Sequence, residues 1–144
     1  MAITLLLAGV ASTITWEIWA RIVTPAVIGG ELSPAGLVQA VFGFQNLLLA
    51  EAIHLLTGVI AYPLGYLLVA RPLARSLLPS LHWSLLGLLY GVVLFVFALY
   101  VMAHLFAGFP AFIGWGNLAW MSLLGHLIFA LVLAAVVQWR LRRG

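Results

Sequence analysis

The sequence predicts an all-α fold: a four-helix transmembrane bundle with one short interfacial helix between its first two spans. Three observations predict it. Hydrophobic residues make up 66% of the 144 residues and charged ones only 6%. With a mean hydropathy of +1.25, the chain carries more apolar surface than a water-soluble domain can hide. Four separate apolar stretches reach the length of about 20 residues that a span needs, and the six arginines fall near the ends of those stretches.

The first span is expected from about Ile3 to Val23, stopped by Pro25 and Gly29-Gly30. Met1–Val10 has no basic segment and no convincing cleavage site, so it reads as a retained span rather than a secretory signal. Ser33-Pro34 is a helix-start signal, a capping side chain followed by proline in the first turn. It opens a short interfacial helix over Pro34 to about Phe42, with Gln39 set apart from Leu37, Val38 and Val41. The second span is expected from Asn46 to Ala70, kinked at Pro63, and the third from Leu81 to Phe106, with Gly87 and Gly91 as a small-residue contact face. A glycine-rich aromatic linker, Ala107 to Gly116, is expected at headgroup level as a belt or lid. The fourth span runs from Asn117 to Trp139, and the whole of 1–144 reads as a single integral membrane domain.

Arg71 and Arg75 follow the second span, and Arg140, Arg142 and Arg143 follow the fourth; only Arg21 lies near the other face. Positive charge concentrates on the cytoplasmic side, which places both termini there in a bacterial-type inner membrane. Phe42-Gly43-Phe44-Gln45-Asn46 and Ile113-Gly114-Trp115-Gly116-Asn117 share the form apolar-Gly-aromatic-x-Asn. Each precedes a histidine, His54 or His126, by eight or nine residues. The likeness suggests a two-plus-two pseudo-repeat about an axis along the membrane normal.

With no cysteine, disulfides and thiolate metal sites are excluded; with no lysine and no aspartate, so are a Walker phosphate loop and a Ser-His-Asp triad. Six arginines are too few for a nucleic-acid surface. The expected partners are the lipid bilayer and a membrane protein or a second copy of the chain.

The functional lead is the polar residues inside the spans. A charged group at the bilayer centre costs roughly 2.5–3.5 kcal/mol by insertion scales, so such residues are usually kept for a site. Glu17, Glu51, His54, His104 and His126 all fall in the outer half, between about 3 and 14 Å deep by helical rise. Glu51 and His54, spaced i, i+3, share a helix face, as in the Glu-x-x-His of four-helix carboxylate metalloproteins. With Glu17, His104 and His126 they form a candidate ligand set for non-haem iron, zinc or manganese. The same residues suggest haem b: His54 and His126 at similar depth as axial ligands, Arg21 pairing with propionates, and Gly58 and Gly125 giving backbone room for a macrocycle.

Plainer readings stand beside these. Glu17 and Arg21, i and i+4, can neutralise each other, Glu51 can bond His54 within its helix, and His126 can bond Ser122. Tyr90 and Tyr100 read as interfacial or helix-contact residues rather than redox groups. The layout resembles that of small four-span bacterial membrane proteins in architecture alone, even at its most distinctive segment, Gly125-His126-Leu127-Ile128-Phe129. The expectation is therefore a membrane protein binding a metal or single haem for electron transfer or oxidative chemistry. The alternatives are a cofactor-free accessory subunit of a larger membrane complex, and a small transporter or proton conduit; whether it is an enzyme stays open.

Overall fold

Prolines accompany the widened turns of two of the long helices, and left-handed glycines end the first long helix and the short one; a third long helix widens over Phe97–Phe106 with neither. The computed structural model describes residues 1–143, and all of its regular elements are helical. They are α1 (Ala2–Ile28), α2 (Pro34–Phe42), α3 (Leu47–Leu77), α4 (Trp83–Phe106) and α5 (Asn117–Arg143). A tight turn, Ala111–Trp115, stands between the last two. The four long helices are each long and apolar enough to cross a membrane. Their exposed faces carry residues such as Leu48, Ile22, Val69 and Val93, which suggests a lipid environment.

α1 and α3 run past the prolines expected to stop or kink them. Each internal proline is preceded by a widened turn in which the backbone bonds i→i−5: Thr24 N–H to the Trp19 carbonyl before Pro25, Tyr62 to Thr57 before Pro63, and Arg71 to Tyr66 before Pro72. Proline donates no hydrogen bond and its ring clashes with the carbonyl four residues back, so widening the preceding turn lets the helix continue. The Thr24 hydroxyl also donates to the Trp19 carbonyl, at 2.9 Å. α1 therefore ends at Ile28, where Gly29 turns left-handed (φ 73°), and Gly43 ends α2 in the same way (φ 71°). The N-caps expected of Ser33 and Asn46 form, accepting from Gly36 N–H and Leu49 N–H.

α5 is the most enclosed long helix and α3 the least. α1 crosses α3 where Gly9 meets the Val59 backbone and Gly58 meets Thr13. α4 lies on α5 through Gly87 against Ala130 and Ala134, and Gly91 against the His126 carbonyl, so the small pair does serve a helix contact. Without side chains at these crossings the backbones approach closely, and dispersion contacts accumulate where lipid offers no hydrophobic drive. The linker after α4 adopts an unexpected form. Phe112, Ile113 and Trp115 all have positive φ (49°, 44° and 54°), a left-handed conformation costing on the order of 1–2 kcal/mol per residue. Stacking of Phe112 on Trp115, Phe95 and Tyr100, with centroids 4.7–5.5 Å apart, offsets that cost.

Candidate functional site

Glu17, Arg21, Glu31 and Glu51 lie at one end of the helices; Arg71, Arg75, Arg140, Arg142 and Arg143 lie at the other. At the acidic end α1 and α3 run antiparallel, so Arg21 faces Glu51 and Glu17 faces His54. Arg21 donates through Nε to Glu17, one turn earlier, and through Nη2 to both Glu51 oxygens at 2.8 and 2.9 Å. His54 Nε2 sits 2.7 Å from Glu17 Oε1. The four side chains form one chain of bonds, Glu51–Arg21–Glu17–His54, from a half-exposed guanidinium inward to a mostly buried imidazole. Charge-assisted hydrogen bonds of this kind are the stronger class, though exposure of Arg21 screens its share.

His126 is buried on α5. Its Nδ1 lies 2.7 Å from the Ser122 carbonyl, one turn back, a contact only a protonated Nδ1 can make as donor. Nε2 is then the acceptor, and it has no hydrogen-bond partner among the described residues. The ring is held edge-on by Trp16 (4.6 Å) and Phe95 (6.3 Å). Trp19 fixes the neighbouring turn by donating its indole N–H to the Met121 carbonyl at 2.8 Å.

His54 and His126 line the same cavity, of about 930 Å³. Its walls come from α1, α2, α3, α4 and α5 and are largely apolar, with Glu31, Thr57, Tyr62, Tyr90 and Ser122 as polar points. That volume stands at the upper end of the range for small-molecule and cofactor sites.

The sequence-predicted ligands do not all converge. His104 donates its Nδ1–H to the Phe109 carbonyl (2.7 Å), lies against Tyr100, and takes no part in the cavity wall. The aromatic linker, folding back over the end of α4, holds it there. Glu51 does not bond His54, because Arg21 engages both of its oxygens. Arg21, expected to meet propionates, is occupied by two carboxylates. The glycine room expected for a macrocycle is filled from α1: a side chain at Gly58 would meet Thr13 Oγ1, and one at Gly125 would meet the Trp16 and Trp19 indoles, each at 2.7 Å. Among the described residues no group of three or more His, Asp or Glu side chains comes together to hold a metal ion.

Sequence reasoning missed the roles of Trp16 and Thr13. Trp16 is 7% exposed and seats His126. The Thr13 hydroxyl and the Trp16 indole N–H are buried without a partner. A comparison of the chain with protein-family models, with curated proteins and with solved structures finds no match.

Proposed function

We propose that the protein binds a single haem, or a haem-like lipophilic cofactor, in the cavity shared by His126 and His54, for electron transfer or oxidative chemistry within a membrane. One observation carries this reading. The His126 ring has its Nδ1–H engaged by a backbone carbonyl and its Nε2 lone pair without a partner at the wall of a cofactor-sized apolar cavity. A ligating imidazole is prepared in this way, its second nitrogen held so that tautomer and ring orientation are set. Haem asks for one or two such donors, whereas iron, zinc or manganese alone would need several more in a dry site. That contrast puts haem ahead of the non-haem metals. His54, with Nε2 on Glu17, serves better as a polar wall group than as a second axial ligand.

The finer architecture belongs to the same proposal: a transmembrane bundle with α2 at the interface, both termini on the cytoplasmic side, and the cavity in the outer half. The arginine-rich end supports the orientation. The two-plus-two repeat gains support from His54 and His126, each following its asparagine by eight or nine residues and each lining the cavity.

The test is an absorption spectrum of the full chain purified from haem-replete membranes, followed by haem titration. A Soret band that His126→Ala removes and His54→Ala weakens is the expected result. No Soret band before or after titration overturns the reading. In that case stable co-purification with a larger complex would favour the accessory-subunit role. One observation favours a second occupant: the charge of Arg21 is already offset by Glu17 and Glu51, which leaves it a poor cation for propionates. A neutral-headed lipophile such as a quinone would need none, and it would bind without a Soret band.

A further inference from the structure

The free polar atoms of the large cavity are not balanced between donors and acceptors. His126, 5% exposed, gives its Nδ1–H to the Ser122 carbonyl, which leaves a lone pair on Nε2. His54 is arranged in the same way from another helix. Its Nε2 lies 2.7 Å from Glu17 Oε1, and that carboxylate, held on its other oxygen by Arg21, accepts the Nε2–H. The neutral His54 ring then keeps its lone pair on Nδ1, which has no protein partner among the described residues. Both imidazoles line one cavity, and each is made an acceptor by the group behind it. Glu31, an exposed carboxylate on the same wall, also only accepts.

Donors on that wall are engaged or enclosed. The Thr57 hydroxyl donates to the Ile53 carbonyl, and the Tyr90 hydroxyl to the Tyr62 carbonyl. The Thr13 hydroxyl and the Trp16 indole N–H are unpaired, but both atoms are fully buried. Thr13 Oγ1 is wedged against Gly58, where a Cβ would stand 2.7 Å from it. The Tyr62 and Ser122 hydroxyls can give or accept, so neither discriminates. A buried lone pair left without a donor costs free energy, so the occupant that fits best brings O–H groups rather than carbonyl oxygens. The remaining wall is apolar and partly aromatic, with Trp16, Phe97 and Phe129 among its residues, which suits a planar ring.

We infer that the cavity binds a dihydric phenol of the quinol class, its hydroxyls donating to His126 Nε2 and His54 Nδ1, in preference to the matching quinone, whose oxygens only accept. The inference rests on the neutral-headed lipophile named above as the second occupant, selects its reduced form, and needs no haem. An aliphatic monoalcohol would meet only one of the two lone pairs, and a carboxylate would bring acceptors where acceptors already prevail.

The experiment uses the full-length protein in detergent and three tailless probes built on one ring. They are tetramethylhydroquinone, tetramethylbenzoquinone, and the dimethyl ether of the hydroquinone, which has no O–H. Affinities are measured without oxygen by calorimetric titration, with protein-free micelles as the blank. A net hydrogen bond contributes a factor of about two to ten, so two should make the hydroquinone bind about tenfold tighter than quinone or ether. Tighter binding of the reduced form should raise the midpoint potential of the bound couple by about 30 mV per tenfold. His126→Leu, which removes one lone pair, should cut the preference to about threefold. Quinone binding as tightly as hydroquinone, or ether matching it, overturns the inference and leaves the neutral-lipophile reading standing; that comparison uses the unaltered chain and holds whether or not the variant folds. A preference undiminished in folded His126→Leu protein also overturns it. Failure of all three probes to bind overturns both.

Discussion

Replacing Gly9 by alanine should be among the most damaging single-methyl changes in this protein. A Cβ at Gly9 would lie 2.0 Å from the Val59 carbonyl oxygen, 2.7 Å from its carbon and 2.9 Å from its Cα. All three are backbone atoms, so no rotamer change relieves the contact. Ordinary contact begins at 3.4 Å, so α1 and α3 must part by about 1.4 Å at their crossing. Overpacking of this kind costs about 1–3 kcal/mol, and backbone involvement puts Gly9→Ala at the upper end. The separation carries along the same helix pair to the Glu17–His54 bond, two turns or about 12 Å away. The assay is thermal or denaturant unfolding in detergent, read by tryptophan fluorescence. Gly116→Ala is the control, since its Cβ would meet nothing nearer than 3.9 Å and its φ of −75° suits alanine. If Gly9→Ala unfolded at the same midpoint as the wild type and the control, the close crossing of α1 and α3 would be refuted.

Other outcomes follow from single groups. Arg21→Ala should destabilise by about 1 kcal/mol and more than Glu51→Gln, because it leaves Glu17 and Glu51 facing one another without their shared cation; partial exposure of Arg21 holds the figure down. The same unfolding assay ranks the two. Thr13→Val should be neutral or mildly stabilising, since the hydroxyl it removes is buried and unpaired. Thr24→Val should cost about 0.5–1 kcal/mol by breaking the bond to the Trp19 carbonyl. Tyr90→Phe should cost about as much through loss of the bond to the Tyr62 carbonyl, and should loosen α4 from α3, measurable as faster proteolysis or hydrogen exchange at the end of α3.

The long helices were legible because an apolar run of this length has few other options in any solvent, and the Ser33 and Asn46 caps were legible because their chemistry is local. The i, i+4 pairing of Glu17 with Arg21 could likewise be read from spacing. What lay beyond the sequence was set by neighbours. Which of Arg21 and His54 each carboxylate would meet depends on the register of α1 against α3. That register is fixed by Gly9 and Gly58, and neither glycine announces its partner. His54 and His126, read as similarly deep, line the same cavity, whereas His104 is drawn away by a carbonyl in a loop whose left-handed turn no local rule foretells. The cavity itself is a property of gaps between helices, and composition is silent about gaps.

The three turns that open ahead of Pro25, Pro63 and Pro72 have a consequence for how this chain can change. Each one admits an additional residue into its helix, and one residue swings everything beyond it by about 100°. α3 contains two of them, so the flank that carries His54 and the flank that carries Ala74 cannot be drawn on a single helical wheel. Substituting a proline by alanine would remove the original reason for the slack but not the surplus residue, and the face-to-face order of the helix would persist. Deleting one residue from such a turn, with the proline left in place, would instead rotate the arginine-bearing segment out of alignment with α4.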